Sequence, residues 1–153
     1  MKKIYLASPI SKYVRNGMSE DYTSVIDRVY NLLNEYGETY YPLKKEAYGE
    51  DKLSGSGEVC TKIDFEKVNE ADLIVAFVED SQGVSVEIGW ASAAHKNMII
   101  FIDKNYHQSE LIRFIDTITP AHKIVIDTSN GYKKEQAKII LEIKKYLEDN
   151  REI

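Results

Sequence analysis

Apolar runs of strand length alternate along this chain with stretches in which apolar residues recur every three or four positions. That alternation is the pattern that parallel βαβ units produce. KIYLAS (3–8) is a short buried strand. Val25, Ile26, Val29, Leu32 and Leu33 then mark the inner face of a helix ending at Gly37, and ETYYPL follows as a second strand. From Lys44 to Gly57 the chain is polar and carries three glycines, so a loop covering a site is expected there. Thr61, with Asp64 three residues on, caps a short helix that gives way to DLIVAFV (72–78), the clearest central strand.

Beyond the loop EDSQG, VSVEIGWASAAHK (84–96) reads as a helix whose small residues Ala91, Ser92, Ala93 and Ala94 permit close packing on a sheet. The strand NMIIFID, a helix near 107–118, the strand HKIVID and a charged helix from about 132 to 149 complete five strands with helices between them. The expected fold is α/β, a five-stranded parallel sheet in a three-layer sandwich, with residues 1–153 forming one domain. Ligands of open α/β sheets bind outside the carboxyl ends of the strands. The segments Ser8–Arg15 and Glu79–Glu87 should therefore face a common crevice, joined by Asp64 if its helix starts at the same rim.

Composition narrows the partners. The net charge is −5 and the acids and bases are interspersed, which argues against a nucleic-acid or anionic-membrane surface and for a small ligand. The lone Cys60 cannot form an internal disulfide and has no neighbouring histidine to make a reactive thiolate, and no Cys/His set has zinc spacing. Neither a metal nor a cofactor is expected. The opening MKKIYLASPI is too short in apolar residues for a signal peptide, and no run reaches the roughly 18 apolar residues of a membrane span. A cytoplasmic setting is the expectation.

The candidate chemistry centres on Glu87, expected in the first turn or so of its helix, where unpaired N–H groups and the helix dipole favour a carboxylate. Its neighbours Val86, Ile88 and Trp90 are apolar, an odd setting for a solvated acid, although an acid near a helix start also serves stability alone. Asp64 is either a helix-initiating acid exposed to water or a second carboxylate facing Glu87. In the latter case the pair divides nucleophilic and proton-transfer work as glycosidic chemistry requires. Ser81 and Gly83 precede the helix and either hold a phosphate or hydroxyl oxygen at its positive end or act as an N-cap serine and a turn glycine. Tyr5 is a core tyrosine or, through its hydroxyl, an orienting partner of Glu87. Tyr13, Tyr40, Tyr41 and Tyr48 fall in or near rim loops, where they stack on a base or simply pack.

Three segments together resemble the nucleoside 2-deoxyribosyltransferase-like superfamily, which also contains nucleoside 5′-monophosphate N-glycosidases. They are the opening IYLASPI, the run IDFEKVNEADLIVAFVEDS, and GVSVEIGWASAAHK with its Glu-Ile-Gly-x-Ala core. The resemblance covers most of the chain. It implies a flavodoxin-like fold and a glutamate that attacks the anomeric carbon to give a covalent glycosyl-enzyme. Glu87 matches that nucleophile, Asp64 the catalytic aspartate and Tyr5 the orienting tyrosine. Asp72, at the mouth of its strand, looks structural.

Six residues before the nucleophile the transferases tend to carry an acid that binds sugar hydroxyls, and the monophosphate hydrolases a phosphate-binding serine. Ser81 stands there, with Asp80 beside it. In the turn Ser8-Pro9-Ile10, Ser8 replaces the family's usual glycine. Arg15 and Lys12 favour a phosphate-bearing ligand beside Ser8 and Ser11, or are merely exposed. The resemblance thus implies a nucleoside or nucleotide substrate and a homodimer or larger assembly with sites at the interface. Polar residues around Asp103–Ser109 or Ile115–Pro120 would then enter a neighbour's pocket. Two rivals remain open at this point: a non-catalytic nucleotide-sensing module, and an NAD-cleaving enzyme of related architecture.

Overall fold

A computed structural model describes residues 1–10, 12, 17, 19–45 and 57–150. In chain order the elements are β1 (Lys2–Ala7), α1 (Glu20–Tyr36), β2 (Gly37–Tyr40), α2 (Pro42–Lys45), α3 (Gly57–Glu70), β3 (Leu73–Val78), α4 (Gln82–Ala93), β4 (Asn97–Asp103), α5 (Glu110–Arg113), β5 (Ala121–Ile126) and α6 (Tyr132–Asp149). Short 3₁₀ turns at Ile115–Thr117 and Thr128–Asn130 flank β5. All strand pairs are parallel, in the order β2-β1-β3-β4-β5. This is the flavodoxin-like order, whose direction of winding reverses between β1 and β3.

The middle of the sheet is buried on both faces because β3 and most of β1 and β4 are apolar, and the two-residue period of a strand sorts their side chains between the faces. Ile4, Leu6, Leu73, Val75, Phe77, Ile99 and Phe101 form one core with α1 and α6. Tyr5, Ala7, Ile74, Ala76, Val78, Met98 and Ile100 form the other, with Val68 of α3, Val84 and Ile88 of α4, and Ile112 of α5. The inner face expected for α1 is the observed one: Val25, Ile26, Val29, Leu32 and Leu33 are all buried, and Ser19 caps the helix by accepting from Tyr22 N. The small residues of α4 behave as read, with Ala91 and Ser92 buried.

The boundaries differ in four places. ETYYPL is not one strand: β2 ends at Tyr40, and Pro42 opens a helical turn, the position where its missing N–H and fixed φ are tolerated. Thr61 does not cap α3, which starts at Gly57; its hydroxyl instead donates to Gly57 O inside the helix, 2.7 Å away. α4 starts at Gln82, two residues earlier than expected, with Ser81 as its N-cap. The helix expected over 107–118 is only Glu110–Arg113, capped by Ser109 and followed by a 3₁₀ turn. Four β-branched residues, Ile115, Thr117, Ile118 and Thr119, followed by Pro120, account for the early end. Of the expected polar loop, Lys44, Lys45 and Gly57 belong to α2 and α3, and residues 46–56 lie outside the described residues.

Two glycines fix how helices meet strands. Gly37 is at once the C-cap of α1, donating to Leu33 O, and the first residue of β2. A Cβ there would lie 2.3 Å from Lys2 O, so only glycine permits this approach of β2 to β1. Gly131, before α6, has φ +94°, a backbone region favouring glycine. Asp21 of α1 accepts from Tyr132 N (2.7 Å) and Lys133 N (3.1 Å), so α1 supplies the cap that α6 lacks within its own chain segment.

Candidate active site

β1 and β3 lie side by side at the reversal of winding, so the chain leaves their carboxyl ends together. The Tyr5 side chain points to the α3/α4 face of the sheet and is wholly buried. Its hydroxyl donates to Glu87 Oε1 at 2.9 Å. Tyr40 of β2, paired in register with Tyr5, stacks on the Tyr5 ring at 5.7 Å and 23° between planes, which holds the ring from the side.

Glu87 is the sixth residue of α4 and half-buried, hence in the second turn rather than the first. The helix dipole acts mainly within the first turn, so it contributes less to this carboxylate than the sequence suggested. The Tyr5 hydroxyl provides a hydrogen bond that favours the anionic form directly. Asp64 lies in the middle of α3, half-buried, with Oδ1 sealed from solvent. α3 packs along α4, and Phe65, next to Asp64, sets its edge on Trp90, three residues after Glu87, at 5.3 Å. Asp64 therefore sits on the helix that lines Glu87's own.

In the first rim loop, Ser8 is buried and its hydroxyl donates to Tyr41 OH at 3.1 Å. The Pro9 carbonyl accepts from Tyr22 OH at 2.9 Å, and Ile10 is half-buried beside them. The Ser8 hydroxyl is thus engaged in the core, an arrangement that makes this turn rigid. Burial pushes the Tyr41 phenol up to about 12 despite the hydrogen bonds from Ser8 and Tyr22 that oppose the shift. Arg15, Ser11, Tyr13 and Tyr48 lie outside the described residues.

Ser81 Oγ accepts from Val84 N at 3.3 Å, and its hydroxyl proton remains to be donated. Gly83 is exposed in the first turn of α4, and among the described residues only Ser81 Oγ comes within 4 Å of where its Cβ would be, at 3.8 Å, which leaves room for a ligand to approach the backbone. Asp80 is exposed and pairs with Lys12 Nζ at 3.6 Å, so the loops after β1 and β3 do meet.

Tyr106 and Gln108 belong to the segment Asp103–Ser109 expected to enter a neighbour's pocket, and both bond within this chain. Tyr106 OH lies 2.7 Å from Lys12 Nζ, and Gln108 Nε2 donates to Glu79 O at 2.6 Å. Both follow β4 at the same sheet edge as the loops after β1 and β3. Asp103, considered for a neighbour's pocket, is buried and held by Asn105 and by the Thr128 hydroxyl within its own chain. Among the described residues no three His, Cys, Asp or Glu side chains converge as a metal site, and no helix is long and apolar enough to cross a membrane.

Compared with known families, residues 4–146 match the model of nucleoside 2-deoxyribosyltransferases. The chain belongs to this family. No curated protein matches it significantly. As a member of the nucleoside 2-deoxyribosyltransferase family it is an enzyme, of transferase or N-glycosidase type.

Among solved structures it is similar to the CMP N-glycosidase BcmB of Clostridium botulinum. The identity is 26% and the TM-score 0.70, over 95% of this chain and 100% of that one. It is also similar to the 2-deoxyribosyltransferase of Bacillus psychrosaccharolyticus, at 20% identity and TM-score 0.54, covering 76% of this chain and 82% of that one. The 2-deoxyribosyltransferase of Leishmania mexicana gives 16% and 0.53, covering 90% and 98%. The last two likenesses are of fold.

Proposed function

We propose that this enzyme hydrolyses the N-glycosidic bond of a nucleoside 5′-monophosphate, with Glu87 as nucleophile. The observation that carries the reading is the 2.9 Å hydrogen bond from buried Tyr5 to Glu87 Oε1, which holds one carboxylate in a fixed orientation at the edge where ligands of this fold bind. In the first step a Glu87 oxygen bonds to the sugar's anomeric carbon while the carbon–nitrogen bond breaks. The base leaves with the bonding pair and takes a proton from Asp64. In the second step water attacks the same carbon, returns its proton to Asp64 and frees Glu87. Ser81 and the open backbone at Gly83 receive the phosphate, in keeping with the 26% identity to a CMP N-glycosidase. No cofactor is required for either step. The reaction belongs in the cytoplasm, where such nucleotides occur.

A base-exchanging transferase is the second reading, favoured by Asp80, whose exposed carboxylate stands one residue from Ser81 and could hold a sugar hydroxyl. In that case a second base replaces water in the second step. Chromatography of free base released from a panel of nucleosides and 5′-monophosphates tests the reaction, and adding a second base separates transfer from hydrolysis. Glu87→Ala should lower turnover by roughly three orders of magnitude or more with nucleotide binding retained. Near-normal turnover in that variant removes the mechanism, and binding without base release favours a sensor.

The working form is a homodimer paired across α3 and α4. Phe65 and Val86 are 48% and 49% exposed on the two helices that carry Asp64 and Glu87, and a second copy would cover them.

A further inference from the structure

Lys12 is the meeting point of three loops at the carboxyl edge of the sheet. It reaches from the loop after β1 to Asp80 Oδ1 (3.6 Å) in the loop after β3, and to Tyr106 OH (2.7 Å) in the loop after β4. Its ammonium also stands 4.3 Å from the Tyr106 ring centre. Gln108, two residues on, ties the same two loops together through the Glu79 carbonyl at 2.6 Å. Such an arrangement adds little to stability, because the Lys12 and Asp80 side chains are 37% and 63% exposed and water screens an exposed ion pair. Its effect is on position and charge. Asp80 and Glu79 immediately precede Ser81, the N-cap of the helix that carries Glu87. Without Lys12, the exposed Asp80 carboxylate would stand uncompensated beside any anion arriving at Ser81.

The geometry points to Lys12 as a positioning and specificity residue: by pairing with Asp80 and anchoring on Tyr106, it cancels the acid beside Ser81 and so admits a phosphorylated substrate. This rests on the hydrolase reading above and names the charge class of substrate that the site takes. The ammonium is kept protonated. Its partial burial opposes the charge, but the hydrogen bond to Tyr106 and the negative charges of Glu79 and Asp80 outweigh it and raise its pKa. Tyr106 gives the pair a third point of attachment. The residue preceding Ser81 can thus be an acid in an enzyme that binds phosphate.

The test is a charge cycle: Lys12→Met, Asp80→Asn, the double variant, Lys12→Arg and Tyr106→Phe, each assayed with a nucleoside 5′-monophosphate. Lys12→Met should raise KM about tenfold with kcat changed by less than about threefold, since an uncompensated charge beside the ligand costs on the order of 1 kcal/mol at a surface site. Removing Asp80 as well should bring KM back to within about threefold of the wild type, and Lys12→Arg should resemble the wild type. Tyr106→Phe, which keeps both charges, should give a smaller rise and serves if Lys12→Met does not fold.

A double variant no better than Lys12→Met, or a fall in kcat at constant KM, overturns the proposal. Calorimetric affinity for the same 5′-monophosphate, read without turnover, separates the two ideas. The cycle appearing in affinity without base release sinks the hydrolase reading and leaves Lys12's role standing, whereas base release without the cycle sinks only the latter. A wild-type protein that neither binds nor cleaves the nucleotide removes both.

Discussion

Tyr5 joins the interior of the sheet to Glu87: its ring packs in the core on the α3/α4 side, and its hydroxyl ends on that carboxylate. Tyr5→Phe keeps the ring and deletes one donor, so the fold should persist while kcat/KM falls about 10- to 100-fold through a misaligned and less well stabilised carboxylate. Steady-state kinetics with a melting curve on the same sample checks both halves, and an unchanged kcat/KM would sink the orienting role.

Tyr41 offers a pH experiment. Its folded pKa of about 12 lies above the ordinary value of 10, so the folded state favours the neutral phenol. The stability associated with it is complete below pH 10 and is lost as pH rises from 10 to about 12, by linkage a matter of about 2–3 kcal/mol. Denaturant melts between pH 8 and 11 should show the decline begin, and Tyr41→Phe should flatten it. At this scale the resemblance of three segments to one family singled out Tyr5, Asp64 and Glu87, and the bond from Tyr5 to Glu87 is the contact it implied. The partners of Ser8 and Lys12 were not legible, since Tyr41 and Tyr106 come from loops distant in sequence that only the parallel sheet brings to one edge.

Among the elements, α1 and α6 are coupled through a cap rather than through packing alone. Asp21→Ala leaves two N–H groups at the start of α6 without their acceptor and should cost about 1–2 kcal/mol. Gly131→Ala forces a left-handed backbone on a residue with a side chain and sets its Cβ 3.0 Å from the Asp21 carboxylate, which should cost a similar amount. Urea denaturation of both variants measures these losses; a double variant far short of the sum would show the two positions acting as one unit.

The same scale shows where periodicity informs and where it does not. The runs LIVAFV and NMIIFID are strands as read, and every residue expected on the inner face of α1 is buried, with Tyr22 extending that face by one turn. Segment 107–118 misled because Leu111, Ile112 and Ile115 have helical spacing, while the β-branched residues after Arg113 oppose a helix locally. The caps by Ser81 and Ser109 set boundaries that apolar spacing alone leaves open.

For the molecule as a whole, exposed Phe65 packs edge-on against half-buried Trp90, and Val86 is exposed on the same helix as Trp90. If a second copy covers them, sedimentation should give about twice the mass of one 17.6 kDa chain. Phe65→Lys should return the protein to single chains and depress activity without unfolding it. A monomeric wild type with full activity would remove the pairing.

Gly37 carries a consequence for how the chain can vary in length. The last turn of α1 and the first pairing of β2 share this one residue, pressed against Lys2 O, so no spare backbone exists between them. An added residue here would shift Tyr40 by one position along β1, turn its ring to the opposite face, and remove the lateral support of Tyr5. Lengthening at this junction is therefore felt at Glu87, on the far side of the sheet plane, long before the hydrophobic core itself gives way.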